Sequence, residues 1–135
     1  MDFSEGNHLN YVIYKGERFY PDSGYLYNLD NGEVLDLSHK DIESITEIKG
    51  LENLTSLREL ILSGNQINEI KSLDTLTKLR KLNLRYNKIT EIKGLDTLST
   101  LKWLYINGNE FSEEYLHELR VQEKNNYLTH ESSNI

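Results

Sequence analysis

The sequence predicts an α/β repeat solenoid, a short stack of similar coils closed at its two ends by unlike caps. Three observations point there. A Leu-x-x-Leu-x-Leu motif followed by asparagine returns with a 22-residue period. Between copies of that motif, apolar residues recur at every third position. The segments before and after the repeats keep neither rhythm.

The period is read directly from the residues. Leu57, Leu60, Leu62, Asn65 and Ile67 align with Leu79, Leu82, Leu84, Asn87 and Ile89, and again with Leu101, Leu104, Ile106, Asn109 and Phe111. The second halves repeat as well, with Glu47-Ile48-Lys49-Gly50-Leu51 returning at Glu69 and at Glu91. Within each motif the last two apolar positions flank a variable one, which is strand periodicity. The asparagines at 65, 87 and 109 carry both donors and acceptors, so they suit a turn out of a strand and would stack as a ladder. Ile67, Ile70, Leu73 and Leu76 keep a three-residue spacing, which fits a 3₁₀-like or extended return with one inward face. One coil cannot bury its own apolar side, so neighbours must stack.

Residues 33–111 therefore resemble the leucine-rich repeat family, and the 22-residue form resembles the subclass found in internalins and in a regulatory subunit of a protein phosphatase. The resemblance implies a short horseshoe with one parallel strand per coil on a concave face, and a role in protein–protein recognition. The first unit departs from the pattern. Leu37 precedes Leu62 by 25 residues while Ile45 precedes Ile67 by 22, which predicts three extra residues within 40–44 and a wider first turn. Lys40 takes the place of the ladder asparagine.

The chain reads as a single domain over 1–135, with an N-terminal cap at 9–32, repeats at 33–111, a C-terminal cap helix at 112–124 and a tail at 125–135. In the N-terminal cap, Tyr11-Val12-Ile13-Tyr14, a Lys15-Gly16-Glu17 turn and Arg18-Phe19-Tyr20 form a hairpin pattern. A turn at Pro21-Asp22-Ser23-Gly24 and a strand over Tyr25-Leu26-Tyr27-Asn28-Leu29 follow. Such a cap would cover the open sheet edge. At the other end Ser112 suits a helix N-cap, with Glu113 and Glu114 in the first turn and Tyr115, Leu116, Leu119 and Val121 facing the last coil.

Composition narrows the function. Of 135 residues, 37% are hydrophobic and 27% charged, which is globular. A formal net charge of −7 argues against non-specific nucleic-acid binding and against docking on an anionic membrane. The absence of cysteine excludes disulfides, thiolate metal sites and thiol chemistry. Residues 1–10 lack the basic and apolar regions of a signal peptide, and the longest apolar run at this end, Tyr11-Val12-Ile13-Tyr14, is far too short to span a membrane, so a cytoplasmic location is expected. The sequon Asn53-Leu54-Thr55 then reads as ordinary repeat residues.

No catalytic constellation stands out. His8, His39, His117 and His130 form no metal-binding set; Glu113 or Glu114 with His117 supplies only two ligands on a helix. Asp36, Ser38 and His39 have the residue types of a hydrolase triad, but nothing nearby builds an oxyanion hole. Ser63-Gly64-Asn65 is a repeat turn rather than a phosphate loop. The expectation is a chain that is no enzyme and needs no cofactor, metal or small-molecule substrate.

The variable strand positions carry more information. One outward column should hold Val34, Glu59, Lys81 and Trp103; the central one Asp36, Ile61, Asn83 and Tyr105; the next Ser38, Ser63, Arg85 and Asn107, with Tyr86 beside it. Partner contacts are expected at Trp103, Tyr105, Arg85, Tyr86, Lys81, Asn83, Glu59 and Ile61, because tryptophan, tyrosine and arginine dominate binding hot spots. The reading is a small adaptor or regulatory module binding a protein or peptide on its concave face. The alternatives are a self-associating structural module and a regulatory subunit of an enzyme held on another chain.

Overall fold

The computed structural model describes residues 10–22 and 33–122. The strand expected over 25–29, and the tail from 125 on, lie outside the described residues. Strands β1 (Val12–Tyr14) and β2 (Glu17–Phe19) form an antiparallel hairpin. Strands β3 (Glu33–Asp36), β4 (Leu57–Ile61), β5 (Lys81–Asn83) and β6 (Trp103–Tyr105) form one parallel sheet in chain order. Helix α1 (Glu113–Gln122) follows. A four-stranded parallel sheet with one strand per coil is the solenoid that the period predicts.

The register repeats with the sequence. Glu59 pairs with Lys81 and Trp103, Leu60 with Leu82 and Leu104, and Ile61 with Asn83 and Tyr105. The framework leucines are fully buried, Leu60, Leu62, Leu82 and Leu84 at 0% exposure. On the return side the three-residue spacing closes single turns. Leu76 N donates to Leu73 O and Leu79 N to Leu76 O, and Leu98 and Leu101 do the same one coil later. In the first coil these closures become two short 3₁₀ helices, Ile45–Glu47 and Leu51–Asn53.

The asparagines bond from coil to coil. Asn65 Oδ1 accepts from Ile42 N at 3.0 Å, Asn87 Oδ1 from Ile67 N at 3.0 Å, and Asn109 Oδ1 from Ile89 N at 2.9 Å. Each Nδ2 donates both to its own coil and to the one before: Asn87 bonds Leu84 O at 3.1 Å and Leu62 O at 2.9 Å. Asn65 and Asn87 are buried, and among the described residues no buried side-chain polar atom lacks a partner.

The first unit differs from the expectation in one respect. Ile42 bonds Asn65 as Ile67 bonds Asn87, and Gln66 N donates to Ile42 O as Lys88 N donates to Ile67 O. The strand and its turn therefore hold the ordinary number of residues as far as Ile42, and the turn is not widened, although Asp41 is left-handed there at φ 59°. The extra residues come after it, as one additional apolar triplet on the return side. Ile42, Ile45, Ile48, Leu51, Leu54 and Leu57 are all buried there, against Ile67, Ile70, Leu73, Leu76 and Leu79 in the second coil. A whole triplet can be added because it keeps the same inward face.

The caps divide the ends between them. Lys15 and Gly16 have φ of 52° and 81°, the two left-handed positions of a tight hairpin turn, so Glu17 belongs to β2 rather than to the turn. Val12 and Tyr14 point into the core. The hairpin is fastened to the first coil by paired bonds between Ile13 and Lys49 and by Tyr14 OH donating to Asp41 O at 3.1 Å. Asp22 pairs with Val34, which occupies the outer edge of β3, and Val34 is buried to 1% exposure. Lys40, where the ladder stops, places its ammonium over the Phe19 ring at 4.8 Å. At the far end Ser112 Oγ accepts from Tyr115 N at 3.0 Å, a helix N-cap. Tyr115 stacks on Phe111, its hydroxyl accepts from Ile92 N at 2.7 Å, and Leu119 is buried.

Candidate functional site: the concave sheet face

The sheet face opposite the core is built from the positions between the framework leucines. Glu59, Ile61, Lys81, Asn83, Arg85, Trp103 and Tyr105 are all half-buried there, side by side across β4, β5 and β6. Parallel sheets are ordinarily covered on both faces; this one carries polar and aromatic side chains on its outer face instead. Val34, expected in the first column, is buried and does not join it. Asp36 stays exposed.

Cations overlie the two aromatic rings of β6. Lys81 Nζ lies 5.3 Å and Lys102 Nζ 5.1 Å from the Trp103 ring centroid, and the Arg85 guanidinium lies 4.4 Å from that of Tyr105. Such contacts contribute about 0.5–1 kcal/mol each at partly exposed sites. Arg85 Nε also donates to Asn107 Oδ1 at 2.7 Å, which fixes the fork against the neighbouring coil. The result is a preorganised aromatic–cationic patch over the last two strands.

The rim of the face follows a rule of its own. At the turn after each strand the chain enters the left-handed region: His39 at φ 57°, Gly64 at 71°, Tyr86 at 58° and Gly108 at 81°. Each glycine faces a ring from the coil before it. The space a Cβ would take at Gly64 holds the His39 imidazole, and that at Gly108 holds the Tyr86 ring. Tyr86 is thereby laid across the next coil with 60% of its surface exposed, next to Arg85.

Glu59 carries a perturbed carboxyl on this face. Burial pushes its carboxyl above the usual range, Lys81 pulls it down, and Asp36 pushes it up. A folded-state pKa above the unfolded value means that the folded state binds more protons, so Glu59 weakens stability once pH rises above the carboxylate range. Glu59→Gln should therefore raise the melting temperature at pH 7 and have little effect below about pH 4. Thermal unfolding at both pH values checks this; a lower melting temperature at pH 7 would mean that the Lys81 attraction outweighs desolvation.

The hydrolase-like trio is disposed of by its own bonds. Asp36 Oδ1 accepts from both Ser38 N at 3.0 Å and Ser38 Oγ at 2.7 Å, so the serine proton points at a carboxylate rather than an imidazole. Asn83 Oδ1 accepts from Arg85 N at 3.1 Å in the same local turn two coils on. Among the described residues no group of three or more histidine, aspartate or glutamate side chains is placed to hold a metal ion, and no helix is long and apolar enough to cross a membrane.

Two further columns escape a reading based on apolar residues alone. Thr75 and Thr97 donate their hydroxyls to Glu52 O and Asp74 O of the preceding coil, each at 2.8 Å. Their signal is the repeated Leu-Asp-Thr-Leu at Leu73 and Leu95. A cationic column at Arg58, Arg80 and Lys102 keeps the same 22-residue spacing at the strand entries.

Comparison with known proteins agrees with this architecture. Residues 55–97 match the family model described as leucine-rich repeats in two copies. An internalin (inlF) of Listeria monocytogenes is similar in structure, at 38% identity and a TM-score of 0.51, over 64% of this chain and 25% of the internalin. A chain of the SNF/U2A' complex of Drosophila melanogaster is similar at 27% identity and a TM-score of 0.55, over 66% of this chain and 52% of that one. The chain thus spans between a quarter and about half of these two structures. No curated protein sequence matches it. Proteins with these repeats generally mediate contacts between proteins. The four stacked coils of this chain are a leucine-rich repeat array, similar to that of an internalin.

Proposed function

We propose that the chain is a small adaptor or regulatory module that holds a protein or peptide on its concave face, anchored at Trp103 and Tyr105. The observation that carries this reading is the pair of rings on β6, each overlain by a cation from the preceding coil, with Lys102 adding a second over Trp103. Their stacking holds them in place before binding, so less rotamer freedom is lost when a partner arrives. Arg85, Tyr86, Lys81 and Asn83 extend the contact, with Glu59 and Ile61 as its other flank. A cytoplasmic location and the absence of catalytic activity belong to the same proposal.

Affinity capture from native extract, with wild type as bait, supplies the partner. The double variant Trp103→Ala, Tyr105→Ala should then bind it about thirtyfold more weakly, or worse, with the melting transition retained. An affinity equal to that of wild type removes the concave anchor.

A second reading is self-association through the hairpin. The Tyr11 and Tyr20 rings lie 5.4 Å apart, the Arg18 guanidinium covers Tyr11 at 4.8 Å, and Tyr20 is 59% exposed. Sedimentation across a concentration series separates the two: a constant monomer mass leaves only the concave-face reading.

A further inference from the structure

The end of the stack leaves one asparagine in a setting that the others do not share. Each ladder asparagine is followed by an amide tied to the preceding coil. Gln66 N donates to Ile42 O at 2.8 Å, Lys88 N to Ile67 O at 2.8 Å and Glu110 N to Ile89 O at 2.9 Å. The amides after Asn53 and Asn83 are engaged as well, Leu54 N with Leu51 O and Leu84 N with Tyr105 O. Asn107 is followed by Gly108, whose N–H has no acceptor among the described residues. The cause is its place in the array. His39 N donates to Ser63 O, Gly64 N to Arg85 O and Tyr86 N to Asn107 O, each to the coil that comes next. Strand β6 is the last of the sheet, so the equivalent amide of Gly108 has no coil to bond. Gly108 is exposed, while Asn107 is half-buried and its Oδ1 accepts from Arg85 Nε at 2.7 Å.

We infer that Asn107 is a self-modifying site, at which the Gly108 nitrogen closes on the side-chain amide and turns it into aspartate or isoaspartate. Base removes the Gly108 N–H proton, and the nitrogen attacks Asn107 Cγ. That C–N bond forms, the Cγ–Nδ2 bond breaks, and Nδ2 leaves with the returned proton as ammonia, closing a five-membered imide. Water then adds to one of the two imide carbonyls and breaks its C–N bond. The balance is one water consumed and one ammonia released, with no oxidation or reduction. Three features favour the step here. Gly108 gives up no protein hydrogen bond on losing its proton. It has no side chain to obstruct attack by its own nitrogen. The Arg85 guanidinium donates to the oxygen on which negative charge develops as Cγ becomes tetrahedral. Opening at Cγ leaves a carboxylate beside Arg85, a charge-assisted pair in place of a neutral one. Opening at the main-chain carbonyl adds a methylene to the backbone ahead of Asn109, whose amide bonds Leu84 O, Ile106 O and Ile89 N. Either product puts a negative charge into the aromatic–cationic patch. The inference goes beyond the concave-face reading and does not depend on it.

The test incubates the whole folded chain at physiological temperature and follows tryptic fragments by mass spectrometry, with a synthetic peptide of residues 103–120 alongside to set the time needed. Asn107 should gain about 1 Da, with ammonia released, while Asn65 and Asn87 in their own fragments stay unchanged. The gain should be faster at about pH 9 than at about pH 6, because the nitrogen must lose its proton. Asn107→Gln should abolish it, since the longer side chain closes a six-membered ring less readily. Arg85→Ala, with its melting transition retained, should slow it at least about threefold. Three results overturn the inference: no gain at Asn107 by the time the peptide has converted, equal gain at Asn65 and Asn87, which marks reaction through unfolding, or an Arg85→Ala variant that converts as fast as wild type or faster.

Discussion

Replacing Asn87 with alanine should lower the stability of the array by roughly 3–5 kcal/mol, from the loss of several buried hydrogen bonds at once. The side chain is 5% exposed and lies between the second and third coils. Its Oδ1 accepts from Ile67 N at 3.0 Å, and its Nδ2 donates to Leu62 O at 2.9 Å, Leu84 O at 3.1 Å and Arg85 O at 3.2 Å. Alanine strands Ile67 N, a buried orphan that costs about 1–3 kcal/mol, and removes the remaining bonds, although Leu62 O keeps Asn65 Nδ2 and Leu84 O keeps Asn109 Nδ2. Asn109→Ala should cost about half as much, because its amide is only half-buried and solvent can reach the groups it leaves. Asn83→Ala removes one bond to Arg85 N at the surface and should stay within about 0.5 kcal/mol. Denaturant midpoints of the three variants check the order. A cost below about 1 kcal/mol for Asn87→Ala would show that neighbouring coils do not depend on the ladder. In a stack this short a loss at the centre also severs the coupling between the two halves, so the Asn87 variant should unfold over a broader transition.

The ladder was legible because its residues obey the same period as the leucines. Strand, turn and return follow from Leu57, Leu60, Leu62, Asn65 and Ile67 alone, and the pairing of β4, β5 and β6 adds only the register that a 22-residue period already fixes. The concave columns were legible for the same reason: once Leu82 and Leu84 are inward, Lys81, Asn83 and Arg85 must be outward. The first coil was harder. Counting residues shows that three are added but not where, since adding a triplet anywhere before Leu51 gives the same alignment. Only the bonds of Ile42 to Asn65 and to Gln66 place the triplet on the return side. The pairing of Asp22 with Val34 was equally hidden, because it comes from a cap that keeps no period.

The pairing of rings with glycines shows a third kind of information, present in the sequence but unreadable one residue at a time. His39 and Tyr86 are bulky residues in the left-handed region, which ordinarily disfavours them. Each is housed because the same position one coil later is Gly64 or Gly108. Large and small residues thus alternate along the rim from His39 to Gly108. The alternation is a packing rule between coils, and it also presents Tyr86 beside the proposed anchor.

Gly94→Ala should cost roughly 2–4 kcal/mol, the second-largest single-residue effect expected here. Gly94 has φ 76°, and a Cβ built on it would lie 2.7 Å from the Ile70 carbonyl oxygen of the preceding coil. Two costs combine: the left-handed backbone, at about 1–2 kcal/mol for an L side chain, and a backbone that must move away. Ser72, at the same place one coil earlier, separates them. It too is left-handed, at φ 63°, yet it carries a side chain. It lines a groove with Ile45, Ile48, Lys49 and Gly50, in the coil that holds the extra triplet. Ser72 is exposed at that groove. Ser72→Gly should consequently change stability by less than about 1 kcal/mol, because relief of backbone strain is offset by the greater freedom of glycine in the unfolded chain. Gly94→Ser should cost as much as Gly94→Ala. If both positions respond equally to exchange of serine and glycine, the conformation alone sets the cost and the approach to Ile70 contributes nothing. A larger loss at Gly94, read from denaturant midpoints, assigns the difference to the distance between coils. The irregular first unit would then be what frees position 72 from the glycine that the later coil requires.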